Sequence, residues 1–188
     1  MTPPNTATTT APRTTARLRA LVTEIRATVN RGLPPGPTAD LVADRLGPHL
    51  GTLDLLTPEH CEGDPDCYRQ HLLHAEPDGS FSVVALVWLP GQVTPIHDHV
   101  SWCVTGVHQG EEHERRYALV PDGSAARLVA TQDVVNPVGA VAAFAPPGDI
   151  HLVRNGGTDT ALSIHVYGAD VSRLGSSVRR VYQLPANR

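Results

Sequence analysis

The stretch TPIHDHVSWC, residues 94–103, places two histidines one residue apart, followed by a cysteine four residues after the second. In an extended strand, residues i and i+2 point to the same face, so His97 and His99 project together while Asp98 points to the other side. Imidazole is a common metal ligand, and the pair therefore raises the question of a metal site. A lone His-x-His pair is also typical of an exposed strand, so the surrounding sequence has to decide.

The glycines, prolines and polar residues around this pair form two blocks about thirty residues apart. The first block contains Gly91, His97, His99, Cys103 and Gly110. The second contains Gly139, Pro146, Pro147, Gly148, His151 and Asn155. Together the blocks closely resemble the two sequence motifs of the cupin superfamily, whose fold is a small double-stranded β-helix barrel. The resemblance covers roughly residues 80–170 and implies that His97, His99 and His151 bind a metal inside the barrel.

The hydrophobic pattern divides the chain into a helical part and a β part. From Asp78 onward, short segments rich in β-branched residues alternate with Gly, Pro, Asp and Asn at intervals near ten residues, which is typical of a barrel or sandwich. Before it, ARLRALVTEIRATVNRG and PGPTADLVADRLGPHL have helical spacing, with Thr38 as the expected N-cap of the second helix. We therefore predict a mainly β cupin domain over residues 15–188, with a helical N-terminal cap (15–60), a β-barrel (78–185) and a disordered tail (1–14).

The composition excludes several classes of partner. The chain has 188 residues, 40% of them hydrophobic, and a net charge of -4 without a basic patch, which argues against nucleic acid. No apolar run reaches the roughly 18 residues of a membrane span, and the N-terminus lacks the apolar region of a secretory signal. Three cysteines are an odd number, which argues against a disulfide framework. We expect a reduced cytoplasmic protein that is a monomer or a weak homo-oligomer.

Cys103 stands where most metal cupins carry a glutamate ligand. Three neutral imidazoles without that carboxylate would leave a divalent ion its full charge and about three open positions, which favours anionic ligands such as thiolates. Imidazole suits Fe, Zn, Cu and Ni alike, so this ligand set does not identify the metal. A Cys103 thiolate would compete with such a ligand, and we do not predict it as a ligand.

A second polar pattern lies in ALSIHVYG, residues 161–168. Ser163, His165 and Tyr167 alternate by two, so a strand would direct all three to one face. That face is either the barrel interior, where the three side chains need hydrogen-bond partners, or the outside, with Leu162 and Ile164 turned inward. The pattern alone leaves both orientations open.

The chain resembles the thiol dioxygenases in three features: the Ser-x-His-x-Tyr run, the His-Asp-His block and the missing glutamate. This group comprises the cysteine dioxygenase family with its 3-mercaptopropionate dioxygenase relatives. The helical cap is also similar. The resemblance implies an Fe(II) enzyme that adds both atoms of O2 to a small thiol, giving a sulfinic acid, with Ser163, His165 and Tyr167 as a catalytic hydrogen-bonded relay. Two alternatives are a different metal-dependent cupin enzyme, such as a Zn or Mn isomerase, and a non-catalytic module that binds a metal or small molecule.

The resemblance also bears on substrate choice, through the segment CYRQHLLH. Family members specialised for cysteine carry an arginine in this region that pairs with the substrate carboxylate, and mercaptopropionate-type enzymes carry a glutamine. Gln70 matches the glutamine type, and a shift of one residue would instead place Arg69 there. A carboxylate also needs a cationic partner, for which we predict Arg179, with Arg180 and Arg173 as further options.

In animal cysteine dioxygenases, a cysteine at the position that corresponds to Cys103 forms a thioether with the catalytic tyrosine, here Tyr167. Two interpretations of Cys103 therefore stand at this point. One is a crosslink between Cys103 and Tyr167. The other is a small free thiol that fills space beside the tyrosine, since free cysteines are commonly buried.

Overall fold

The computed structural model describes residues 14–122 and 125–183. The tail predicted to be disordered (1–14) lies outside this range except for Thr14. Two helices come first, α1 (Ala16–Val29) and α2 (Pro35–Leu46), and single 3-10 turns follow at Gly47–His49 and Pro58–Cys61. The remaining elements are β1 (Arg69–Ala75), β2 (Ser82–Trp88), β3 (Ile96–His99), β4 (Cys103–Gln109), β5 (Glu111–Asp122), β6 (Ala125–Pro137), β7 (Val141–Phe144), β8 (His151–Arg154), β9 (Ala161–Tyr167), α3 (Val171–Leu174) and β10 (Val178–Tyr182).

The two N-terminal helices form where the hydrophobic spacing predicts them. Helix α1 begins after Thr15, whose hydroxyl accepts a hydrogen bond from the Leu18 N–H at 3.0 Å. Helix α2 begins earlier than predicted, with Pro34 at its N-cap, so the prediction of Thr38 as the cap is wrong. Pro35 presets the helical φ at the first position, and Thr38 lies in the first turn, where its hydroxyl donates to the Leu33 carbonyl.

The strands form two antiparallel sheets of five. The first has the order β1-β2-β9-β4-β7 and the second the order β10-β3-β8-β5-β6. The first sheet begins at Arg69, before the predicted start near residue 78, because β1 pairs with β2 over most of its length. The C-terminal strand β10 forms one edge of the second sheet, where it pairs with β3.

Strand β9 at the centre of the first sheet is buried along its whole length. Ile164 and Val166 pack with core residues of α1 and α2, such as Leu21, on the outer side of the sheet. Tyr167 packs on the inner side with Cys103 and with the inward residues of β2. Both faces of β9 are therefore covered, and the polar set of alternate residues faces the barrel interior while the apolar set faces the helices.

The predicted mainly β fold with a helical N-terminal cap is confirmed by this arrangement. The helices lie over one sheet and leave the space between the two sheets for side chains of β2, β4, β8 and β9. In the part of the chain that the structure describes, no helix combines the length and the apolar character that a membrane crossing requires.

Candidate metal centre

The three predicted metal ligands meet inside the barrel. Strands β3 and β8 pair at one register position, where His97 lies opposite His151. His99 lies two residues further along β3 on the same face. Each histidine brings one ring nitrogen to within 4.8 Å of the other two, and all three residues are buried. The ring centroids are 4.7 to 5.1 Å apart, so the strand pairing alone brings the cluster together.

The outer nitrogen of each ring has a hydrogen-bond partner. His97 Nδ1 lies 2.9 Å from the Pro95 carbonyl oxygen. His99 Nδ1 lies 3.1 Å from Asp149 Oδ2, and His151 Nδ1 lies 2.8 Å from Glu114 Oε1. A carbonyl and an ionised carboxylate can only accept, so each Nδ1 donates and each Nε2 keeps its lone pair for the centre of the cluster. Histidine ligands of metals in proteins commonly have such partners.

The charges around the cluster favour a cation at its centre. Burial, together with the neighbouring His151 and His99, lowers the pKa of His97 to about 3. Burial raises the pKa of the Asp149 and Glu114 carboxyls, but the hydrogen bonds from the histidines outweigh it and keep both below their usual values. Burial also lowers the pKa of His151, so His97 and His151 are neutral and the two carboxylates ionised near neutral pH. Three imidazole nitrogen donors backed by two negative charges fit a divalent transition metal.

A hydrogen-bonded chain runs from this cluster into the barrel wall. The Tyr167 hydroxyl lies 3.1 Å from His165 Nδ1, and His165 Nε2 lies 2.9 Å from the Ser163 hydroxyl. The Trp88 indole N–H donates to the same Ser163 oxygen at 3.0 Å. Burial raises the pKa of Tyr167 well above its ordinary value and lowers that of His165 to about 3. The tyrosine is therefore protonated and His165 neutral near neutral pH.

The histidine cluster and the chain share one cavity. This cavity of ≈ 50 Å³ is lined by the three histidines and also by His165, Tyr167 and Gln70. Larger clefts lie on the outer surface, such as one of ≈ 390 Å³ beside Arg115 and Asp133. The small inner cavity is the one that combines the clustered imidazoles with an aligned hydroxyl.

The structure separates the two candidate residues at the start of β1. Gln70 lines the inner cavity, whereas Arg69 lies 3.6 Å from the Glu62 carboxylate on the outside. Successive residues of a strand point to opposite faces, so both cannot reach the cavity. The structure therefore includes Gln70, and not Arg69, in the lining of the inner cavity, and the exposed Gln70 also lines an outer cleft together with Arg69.

The structure does not bring Arg179 to the cavity. Its guanidinium donates to Asp98 Oδ2 at 2.7 Å, and Arg180 donates to the same oxygen at 2.9 Å. Asp98 points away from the two histidines that flank it, so these contacts lie outside the barrel. Arg173 pairs with Asp170 at 3.0 Å. Among the described residues that line the cavity, none is an arginine.

Cys103 lies beside the tyrosine and outside the histidine cluster. It is paired with Tyr167 across β4 and β9, and both side chains are buried. Burial raises the pKa of the Cys103 thiol well above its ordinary value. A protonated thiol is a poor metal ligand. The register is compatible with both interpretations of Cys103, the crosslink and the free thiol.

Several residues of the site were not found from the sequence. Asp149 accepts a hydrogen bond from His99 and Glu114 accepts one from His151. The Trp88 indole donates a hydrogen bond to Ser163. The alternation of Glu112 and Glu114 in GEEHERRY was the one available signal, because two acidic residues on the same face of a strand are unusual in a barrel core. Asp149 carried no such signal.

We predict that Asp149→Asn weakens metal binding by about 10- to 100-fold, because the neutral amide holds His99 less firmly and lowers its basicity. The measurement is a competition titration of the metal-free protein with Zn²⁺ and a chromophoric chelator. Asp133→Asn is the control, since that carboxylate is exposed and pairs with Arg115 on the surface. Equal affinities for the two variants would contradict the role of Asp149.

Comparisons with known proteins give one family and several solved structures that are similar to this chain. The sequence profile described as "Cysteine dioxygenase type I" matches residues 60–176. A solved structure from Thermus thermophilus is 23% identical, with a TM-score of 0.44, over 64% of this chain and 98% of its own. An RmlC-like cupin protein from Desulfovibrio desulfuricans is 24% identical (TM-score 0.42, 60% and 92%), and a cupin 2 conserved barrel domain protein from Salinispora arenicola is 20% identical (TM-score 0.42, 66% and 92%).

The matched segment includes the three clustered histidines and the whole chain from Ser163 to Tyr167. Because this match spans well over half of the sequence, the protein belongs to the cysteine dioxygenase type I family.

Proposed function

We propose that this protein is a non-haem iron thiol dioxygenase, which oxidises the thiol of a small substrate with O2 to a sulfinic acid. Membership of the family and the three-histidine cluster indicate a metal-dependent enzyme. The observation that carries the finer proposal is the shared cavity, where the imidazoles face the hydroxyl end of the Ser163–His165–Tyr167 chain. A protein that only binds a metal would not need a buried, aligned proton donor beside the metal site.

Each group at the cavity has a distinct task in this reaction. His97, His99 and His151 would hold Fe(II), which when bound supplies the redox chemistry between the thiol sulfur and O2. Tyr167, protonated because burial raises its pKa, donates a hydrogen bond into the cavity. His165 fixes the direction of that hydroxyl through Nδ1. Both oxygen atoms end on the sulfur, which is oxidised as O2 is reduced, so the reaction needs no further reductant.

The cavity also favours a particular way of holding the substrate. Gln70 lies at its lining and offers two amide N–H donors, which can bind a carboxylate without a charge. Cysteine and 3-mercaptopropionate both carry a carboxylate near the thiol. By resemblance to the glutamine-type enzymes, we propose 3-mercaptopropionate as the better substrate of the two.

The central test is O2 consumption by the iron-loaded protein with cysteine, 3-mercaptopropionate and cysteamine measured side by side. We expect thiol-dependent O2 uptake and a sulfinic acid product with at least one of them. Tyr167→Phe should retain iron and lose most of the turnover, because the proton donor is gone while the ligands remain. His151→Ala should lose iron, because a three-nitrogen site is reduced to two.

The matched measurements are metal content by elemental analysis and product by mass spectrometry. A protein isolated with zinc that consumes no O2 with any small thiol after loading with iron would refute the proposed reaction. In that case a different metal-dependent activity or a non-catalytic binding role would remain. Wild-type turnover in Tyr167→Phe with every thiol would refute the role of the tyrosine.

Gln70 and Arg69 provide a separate prediction about the substrate. Loss of a hydrogen bond to a charged group costs about 1.5–3 kcal/mol, so Gln70→Ala should raise KM for the carboxylate-bearing thiol by on the order of 10-fold or more. Arg69→Ala should leave KM nearly unchanged, because its side chain faces Glu62. Steady-state kinetics of the two variants measure this. A larger effect of Arg69→Ala would favour the alternative placement.

For Cys103, we propose that the register opposite Tyr167 allows the thioether that the family resemblance implies. Residues directly opposite in an antiparallel pair have Cβ atoms about 4.5–5.5 Å apart, within reach of a cysteine sulfur and the edge of a tyrosine ring. One S–C bond forms while the S–H bond and one ring C–H bond break. Two protons and two electrons leave, and O2, the oxidant, takes them up to form hydrogen peroxide.

We predict that incubation with Fe(II), thiol substrate and O2 lowers the intact mass by two hydrogen atoms. Cys103→Ser should show no such change, since its oxygen replaces the reacting sulfur. Intact-mass analysis and tryptic peptide mapping provide the measurement. A full mass after turnover, with Cys103 still open to alkylation in the unfolded protein, would identify Cys103 as a free thiol that only packs beside the tyrosine.

A further inference from the structure

The buried carboxyl group of Glu112 has no role in the function described so far. Its residue is only 3% exposed, and its Oε1 atom has no hydrogen-bond partner. It lies on β5 two residues before Glu114, and therefore on the same face of the strand. A buried carboxyl oxygen without a partner is costly, so a side chain of this kind calls for a reason.

The surroundings of Glu112 connect it to the Ser163–His165–Tyr167 chain. Burial raises the pKa of Glu112 to about 7, against the opposing effects of the nearby Ser163 hydroxyl and Trp88 indole. Glu114 on the same strand raises it further. The other titratable groups that sense its charge are Tyr167 on β9 and Cys103 on β4.

The Ser163 hydroxyl is the member of the chain that interacts with this carboxyl. Its oxygen accepts the Trp88 N–H and lies 2.9 Å from His165 Nε2. A hydroxyl has one proton to donate and two lone pairs with which to accept. Ser163 can therefore donate to His165 or to Glu112, but not to both.

We propose that Glu112 is the inner end of this hydrogen-bonded chain, a positioning residue whose proton decides the direction in which the chain runs. The inference deepens the proposed function. It rests on the proposed function only where it concerns turnover. The arrangement of Glu112, Ser163, His165 and Tyr167 is a property of the folded chain itself.

The two states of the chain differ in which atoms donate. With Glu112 ionised, Ser163 donates to it, His165 donates from Nε2 to Ser163, and the Tyr167 hydroxyl donates to Nδ1. With Glu112 protonated, it donates to Ser163, Ser163 donates to Nε2, and His165 donates from Nδ1 to the Tyr167 oxygen. The Tyr167 proton is then free to point into the cavity.

The protons balance between the two states. One proton enters at Tyr167 from the cavity side, each member of the chain passes its own proton inward, and one proton arrives on Glu112. The chain is therefore a path between the cavity and a buried site that stores one proton. The tautomer of His165 reports which state is present.

The test is nitrogen NMR of the full chain labelled at the histidine ring nitrogens, metal-free and with Zn²⁺ as a diamagnetic metal. The His165 resonances are identified by their loss in His165→Gln. In the wild type we expect the protonated nitrogen to change from Nδ1 below to Nε2 above a midpoint near pH 7, the value to which the pKa of Glu112 is raised. Glu112→Gln should abolish the change, because an amide does not titrate.

Glu111→Gln is the matched control, the same substitution one residue earlier on the strand, where the carboxylate pairs with His113 at the surface. It should retain the change. Ser163→Ala is a second variant that removes the hydroxyl and keeps Glu112, and it should abolish the change even if Glu112→Gln folds poorly. A His165 tautomer that is constant with pH, or that changes equally in Glu112→Gln, would overturn the proposal.

Turnover gives an independent readout of the same residue. The amide of Glu112→Gln can donate to Ser163 as the protonated acid does, so the pH profile of kcat in this variant should lack the decline that the Glu112 ionisation causes in the wild type. The NMR result does not depend on turnover. An inactive protein with a normal tautomer change would refute only the proposed reaction, and an active protein with a fixed tautomer would refute only the role of Glu112.

Discussion

Three imidazole rings occupy the centre of the barrel, where each brings one ring nitrogen to within 4.8 Å of the other two. Burial and repulsion from the neighbouring rings both act against protonation of His97, which is why its pKa falls to about 3. The ionised Asp149 and Glu114 lie behind the other two rings. They accept Nδ1–H bonds, and they direct the free lone pairs inward.

The buried carboxylates need donors of their own, and this requirement extends the arrangement outward. Asp149 accepts the backbone N–H of His99 in addition to its ring N–H. Glu114 accepts a guanidinium N–H of Arg116 at 2.9 Å, and Arg116 lies opposite His151 across β5 and β8. Imidazole nitrogens at the centre, ionised oxygens around them and a half-exposed cation at the rim form three hydrogen-bonded layers. Within the middle layer, Asp149 Oδ1 has no hydrogen-bond partner.

Sequence patterns predicted the parts of the site that depend on local spacing. The alternation in His-x-His and Ser-x-His-x-Tyr fixes which side chains share a face, and the structure brings both sets to one cavity. The limit of the alternation pattern is visible in β9, where one alternative placed the polar residues on a solvent-exposed face. Because α1 and α2 cover the outer side of that sheet, Ile164 and Ser163 are both buried, and the alternative of a solvent-exposed polar face is wrong.

The parts that sequence could not predict depend on pairing between distant strands. Asp149 and Glu114 reach the histidines only because β8 lies between β3 and β5. Arg179 was the predicted partner for a substrate carboxylate, but its strand β10 pairs with β3 on the edge of the second sheet. From there the arginine meets the outward face of β3, and no spacing along the chain reveals that contact.

That outward face explains why Asp98 stands between the two histidines. Strand β3 has four residues and shares a single register position with β8, so its backbone bonds hold it only weakly on that side. Asp98 compensates by accepting hydrogen bonds on one oxygen from Arg179, Arg180 and Tyr182 of β10. Although burial raises its pKa, these donors lower it to about 2. The short His-Asp-His segment thus keeps a negative charge on the outer face, which anchors the strand to β10, and two imidazole rings on the inner face, where they can bind a metal. Because adjacent strand residues point in opposite directions, one three-residue segment meets both requirements without conflict.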